Sequence, residues 1–335
     1  MKIRARILSI AAGVVLAAAA SAQPASSSNS SSLKVEKIAD GVWAAAPAKG
    51  ANVGWFLLGD GVVAVDSGAD AATGQEILKS IAETTGGKPV RLLVLTHAHA
   101  DHSGGARAFA AAGARVICHE SIAGQIVAFV GQAATDPNDP MAGKTNVRPV
   151  VESISERSIL VDGIHNIQIS FLGAAHTKGD LVIYLVTEKI LFAGDLALNG
   201  RLPFMQSPDV DSQGWTRALE ALARVPVEKM VPGHGDIGPK TGLADSHAYV
   251  KRVDELSRKF MQQGLQDEGI EIQVRAPENK IENVQITDAH IANVKAVVKA
   301  MREKETRKAA ATPAASSATP GAAGTKQPAP SPTPR

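Results

Sequence analysis

The segment that most restricts what this chain can fold into is residues 92–105, LLVLTHAHADHSGG, where an apolar run opens into a cluster of ligand-type side chains. Residues 92–95 read as a buried strand. The loop after it sets His97, His99, Asp101 and His102 within six positions. Imidazole and carboxylate are the donors a borderline-soft divalent ion such as zinc takes, and a strand end fixes their directions while leaving one side open to a substrate. On an extended loop, residues two apart face the same side. His97 and His99 are therefore expected to share one ion, with Asp101 and His102 facing a second position. An isolated histidine would read as a solvated surface group, but four ligand types this close together do not.

A metal needs ligands from more than one loop, and three other strand ends offer them. His176 lies in GAAHTKGD after the apolar run 169–172, Asp195 in ILFAGDLAL after 190–193, and His234 in MVPGHGDIG after Met230 and Val231. Each stands at the C-terminal edge of an apolar strand, where open α/β sheets place their sites. Glycines beside Asp195 and His234 let the backbone approach closely. Asp66 ends another apolar strand, where an unpaired carboxylate is costly. It reads either as a turn cap or as an acceptor that orients a metal-bound histidine.

The runs 35–46, 53–58 and 62–65, separated by Asp40-Gly41 and Asp60-Gly61, predict an antiparallel meander. Helices are predicted over 71–84, closed by Gly86-Gly87, over 105–112 and over 122–130. Between the last two lies a strand ending in Cys118 and His119, both read as core or strand-end residues. A second set of strands is predicted at 158–161, 167–172, 181–186 and 190–192. Two β-rich halves, each followed by helices, predict an α/β fold: a sandwich of two sheets with helices on both outer faces. Residues 135–149, TDPNDPMAGKTNVRP, form a long polar loop. It is either a cleft wall offering Met141, Lys144 and Arg148, or a surface excursion. Beyond His234, Val250, Val253, Leu256 and Phe260 mark one helix, and Ile291, Val294, Val297, Val298 and Met301 another. Residues 246–308 are accordingly read as a helical extension. His165, His247 and His290 stand apart from the ligand types and read as structural or exposed.

Lys2, Arg4 and Arg6 precede an apolar run at 7–20 and the small-residue site Ala20-Ser21-Ala22. Residues 1–22 are therefore expected to be a secretory signal peptide cleaved near Ala22, giving a periplasmic or secreted protein with no retained membrane insertion. Residues 23–33 read as a flexible linker and 309–335 as a disordered Ala/Pro-rich tail. A net charge of +2 and 4% aromatic residues argue against a nucleic-acid partner and leave a small-molecule substrate. With a single cysteine, no intrachain disulfide can form. Nothing in the sequence fixes an oligomeric state.

The HxHxDH spacing at 97–102, with AAHTKGD at 174–180, AGD at 193–195 and PGHG at 232–235, resembles the metallo-β-lactamase superfamily of the two-metal kind, over roughly residues 34–245. The resemblance implies a four-layer αββα sandwich. It implies that His97, His99 and His176 hold one zinc ion, that Asp101, His102 and His234 hold the other, and that Asp195 bridges them, as in the glyoxalase II-like branch. It favours the orienting role for Asp66. It further implies a hydrolase that cleaves an ester, lactone, thioester or amide bond with a metal-activated hydroxide, Asp101 being both ligand and proton carrier. Trp55, Asn199, Arg201 and Phe204, with Met205, are the expected cleft residues. Zinc β-lactamases of the commonest subclass carry Cys where this chain has Asp195, so action on β-lactams stands as an alternative. An iron-dependent oxidoreductase on the same fold is another. A purely structural metal site is disfavoured, because such sites are closed and four-coordinate.

Overall fold

The apolar runs that lack a polar alternation become strands buried on both faces, as a sheet covered on each side requires. The protein is described by a computed structural model over residues 33–144, 148–161, 163–282 and 284–311. The expected signal peptide, almost all of the linker and the tail beyond 311 lie outside the described residues.

In the first sheet, β1 (Lys34–Ala39), β2 (Val42–Ala46), β3 (Val53–Leu58) and β4 (Gly61–Val65) pair as an antiparallel meander. β5 (Val90–Val94), β6 (Arg115–His119) and β7 (Val151–Ile154) extend it in parallel. The second sheet runs in the order β12-β11-β10-β9-β8. In it, β8 (Arg157–Val161), β9 (Asn166–Phe171), β10 (Leu181–Leu185) and β11 (Ile190–Gly194) are antiparallel, and β12 (Lys229–Pro232) joins β11 in parallel.

The strand period of two sorts side chains into three cores. Val63 and Val65 of β4 meet Leu181, Ile183 and Leu185 of β10 and Phe192 of β11 between the sheets. Val62 and Ala64 face outward, against Ile77 and Ile81 of α1 (Ala71–Thr85), Phe109 of α3 (Ala106–Ala111) and Ile126 of α4 (Glu120–Val130). On the other side, Val182, Tyr184 and Leu191 pack against Trp215 of α5 (Ser212–Ala223), Val250 and Phe260 of α6 (Thr241–Gln262), and Val294 of α8 (Asp288–Ala311). The result is the αββα layering. The sheets approach so closely at β3 that a Cβ on Gly54 would lie 2.2 Å from the Phe192 ring.

The C-terminal helices belong to this layering. α6 runs through the boundary expected at 245/246, and with α7 (Asp267–Arg275) and α8 it shares one core with the second sheet. Among the described residues no helix is long and apolar enough to cross a membrane.

Candidate metal centre

Asp66 follows β4, the His97–His102 segment follows β5, His176 lies in the β9–β10 turn, Asp195 follows β11 and His234 follows β12. The structure brings these strand ends together. His99 Nδ1 lies 3.0 Å from His97 Nε2 and 3.0 Å from His176 Nε2, so three nitrogens converge on one point. In a second group, Asp101 Oδ2 is 3.0 Å from His234 Nε2 and 3.8 Å from His102 Nε2. Asp195 stands between the two groups. Its Oδ2 is 3.5 Å from His176 Nε2, while its Oδ1 is 3.3 Å from His102 Nε2 and 3.6 Å from His234 Nε2.

The division between His97/His99 and Asp101/His102 has a different local cause from the alternation expected of an extended loop. The chain turns helical at α2 (Ala100–Ser103), where His102 N–H and Ser103 N–H both donate to His99 O. That turn swings Asp101 and His102 toward the second group.

Supporting groups fix which nitrogen faces inward. Asp66 Oδ2 is 2.8 Å from His102 Nδ1, and the same carboxylate accepts from Thr96 N–H and Thr96 Oγ1. Asp66 holds this place in the left-handed region, at φ 59. His176 Nδ1 donates to the Phe204 carbonyl at 3.0 Å, leaving its Nε2 directed at His99 and Asp195. Hydrogen bonds of this kind select the imidazole tautomer and ring orientation. The glycine of PGHG answers a close approach: a Cβ on Gly233 would lie 1.9 Å from Asp195 Oδ1. Asn52, which sequence reasoning missed, donates from Nδ2 to Pro232 O and Gly235 O and so ties this loop to β3. Its only sequence signal is a polar residue beside an apolar strand.

Charge follows the same geometry. Burial, reinforced by His102 and His176, holds the His97 imidazole well below the usual histidine range. Burial pushes His176 down to about 4. The hydrogen bond from His234 lowers Asp101. Burial opposes ionisation of Asp195, but the His102 and His176 imidazoles outweigh it and keep that carboxyl ionised. His102 goes the other way: burial disfavours its proton, yet Asp195 and Asp66 outweigh burial and hold it well above the ordinary range.

The donor set fits divalent cations. In each of three overlapping groups (His97, His99, His176; His97, His102, Asp195; Asp101, His102, His234) the ligand atoms lie within 4.8 Å of one another. His102 Nε2 and Asp195 Oδ1 are buried without a hydrogen-bond partner. Folded proteins as a rule satisfy their buried polar atoms, and a cation between these two, which lie 3.3 Å apart, would satisfy both.

A cleft of about 510 Å³ opens over His99, Asp101, Asp195 and His234, walled by Leu198, Arg201, Leu202 and Phe204. Arg201 and Phe204 are therefore where a substrate would meet them. Trp55 and Asn199 are not. Trp55 is fully buried on the helix-facing side of β3, and its Nε1 donates to Thr84 Oγ1. Asn199 is a backbone staple: it accepts from Gly242 N–H and donates to Asp236 O, tying the loop after Asp195 to the start of α6. Met205 is buried in the helix-facing core of the second sheet. Asp136, Asn138, Asp139 and Pro140 of the long loop line another cavity, of about 730 Å³, with Ala98 and Ala100, and none of the four loop residues lines the cleft over the ligand groups. Cys118, His119, His165 and His290 are buried, and His247 is 3.5 Å from Glu220; none belongs to the ligand groups.

An αββα sandwich carrying an open histidine–aspartate cluster on one rim defines a metalloprotein whose centre can admit a substrate. Residues 47–234 match the sequence profile of the metallo-beta-lactamase superfamily, and the chain belongs to that superfamily of metal-dependent hydrolases. It is similar to the alpha subunit of a 2,4-dinitroanisole O-demethylase from Nocardioides sp. (strain JS1661), 24% identical over 201 residues. That alignment covers 60% of this chain and 55% of the relative, so the chain spans little more than half of that subunit. A metallo-beta-lactamase type 2 from Elizabethkingia meningoseptica is 22% identical over 245 residues, 69% of this chain and 90% of the relative. Among solved structures, a metallo-beta-lactamase from Pontibacter korlensis superposes with a TM-score of 0.55 at 25% identity, covering 65% of this chain and 99% of that one.

Proposed function

We propose that this chain is an exported dinuclear zinc hydrolase that cleaves an ester, lactone, thioester or amide bond of a small molecule. His97, His99 and His176 would hold one ion and Asp101, His102 and His234 the other, with Asp195 placed to serve both. The observation that carries this reading is the placement of Asp195, whose two oxygens address different ligand groups while one of them is buried without a hydrogen-bond partner. Two zinc ions held there would supply Lewis acidity toward a substrate carbonyl and a water acidified toward neutrality.

The chain's own residues do the rest. Asp101 is half-buried and lines the cleft, the place from which it would orient the attacking water and take up its proton. Arg201 and Phe204 contact the substrate from the cleft wall. Export rests on the basic and then apolar N-terminal segment. Action on β-lactams is a second reading, supported by the names of several relatives. The same ligands also accept iron, the choice that an oxidoreductase would require.

The test is a panel of nitrocefin, a lactone, a thioester, a phosphodiester and 2,4-dinitroanisole, run on the wild type and on Asp195→Ala. One compound is expected to be cleaved in a chelator-sensitive way. Loss of the bridging ligand is expected to cost more than the ~100-fold typical of groups that only orient a ligand. Full activity in a folded Asp195→Ala protein would contradict the two-metal reading.

A further inference from the structure

The superfamily match ends at His234, yet the helices beyond it reach back into the centre. Asn293 of α8 is buried, and its amide grips the chain on both sides of Phe204. Its Nδ2 donates to Pro203 O at 2.7 Å, and its Oδ1 accepts from Met205 N–H at 3.0 Å. The carbonyl held between these two bonds is that of Phe204, the acceptor of His176 Nδ1. Behind Asn293 stands a buried relay. Asn293 Nδ2 also donates to Tyr249 Oη of α6 at 2.9 Å, and Tyr249 Oη is hydrogen-bonded to His290 Nδ1 at 3.0 Å. All three side chains are at most 3% exposed. A buried amide with both ends bonded fixes its partners, because releasing either bond leaves an unsatisfied polar group in the interior.

We propose that Asn293 is a positioning residue for the metal centre. It holds the Phe204 carbonyl where that carbonyl sets the His176 tautomer, which makes the C-terminal helices part of the site. The same grip places the Phe204 side chain in the cleft wall. A polar residue in the middle of the apolar stripe Ile291, Val294, Val297 and Val298 has a packing role only if its bonds serve the helices alone. Here two of them serve the loop that carries a ligand's acceptor.

The inference rests on the reading of His97, His99 and His176 as metal ligands, and its test reads metal binding rather than turnover. Zinc affinity is measured by competition with a chromophoric chelator for the wild type, Asn293→Ala and Tyr249→Phe, with circular dichroism and thermal unfolding of each metal-free protein alongside. Asn293→Ala is expected to unfold cooperatively and to bind zinc ~10–100-fold more weakly, the usual cost of losing a group that orients a ligand. Tyr249→Phe keeps the shape and removes only the buttress, so a smaller loss in the same direction is expected. Should Asn293→Ala fail to fold, Tyr249→Phe decides the matter. Unchanged zinc affinity in the folded variants overturns the proposal and leaves the ligand assignment standing. A wild type that binds no zinc brings down the ligand assignment, and this inference with it.

Discussion

His102 is an imidazole of the cluster that its neighbours charge. Asp195 and Asp66 hold its proton against burial, whereas His97 and His176 are driven neutral by burial. Its native pKa is raised above the unfolded value, so in the metal-free protein it adds stability below the unfolded pKa, lost as pH rises through the native one. For metal binding the sign is opposite, because proton and cation compete for Nε2. The Asp101/His102/His234 group must shed a proton to take its ion. The His97/His99/His176 group is already neutral, with His176 down at about 4. Dialysis at stepwise lower pH from neutrality is expected to empty the second group first, zinc content per chain showing a plateau before the final loss. Loss of both ions in one step would contradict the order. At this scale the sequence was informative where ligand types crowd, as at His97–His102, and silent where one polar residue works through backbone atoms. Asn52, Asn199 and Asn293 look alike in the sequence. Only their bonded carbonyls and amides distinguish a loop tie, a staple and a ligand support.

At the scale of elements, the strand ends were legible because apolar runs stop abruptly at polar ligand types. Which face each strand residue takes was not. β3 is buried on both sides, so the period-two signal that tells inside from outside is erased, and Trp55, expected in the cleft, faces the helices. The turn at α2 was equally hidden, since a four-residue helix leaves no periodicity. The PGHG turn, in contrast, announces a close approach, and the approach is to Asp195. Gly233→Ala drives a Cβ into Asp195 Oδ1, and any shift of that carboxylate disturbs its placement against His176, His102 and His234. The variant is expected to lose about 1–3 kcal/mol of stability, the usual cost of overpacking, and zinc affinity with it. Thermal unfolding and chelator competition check both effects. A variant with native stability and native zinc affinity would show that Asp195 moves freely.

At the scale of the whole molecule, two sheets bring five strand ends to one rim, and each sheet needs its own helical cover. For the second sheet that cover is α5 with the C-terminal helices, which lie outside the superfamily match. The sequence showed these helices by their apolar spacing. It did not show that they share a core with the second sheet, because spacing gives a face and not its partner. The fold thus makes one body of what the superfamily match divides, and it leaves the cleft open between the metal loop and the loop carrying Arg201 and Phe204. The most direct measurement is the metal content of the purified protein, by elemental analysis before and after chelator treatment. About two zinc ions per chain are expected, removable by chelator, with cleavage of a panel compound lost and restored in step. One ion or none, or hydrolysis that survives removal of the metal, would contradict a dinuclear hydrolase. Iron in place of zinc, with no hydrolysis, would keep the ligands and overturn the reaction.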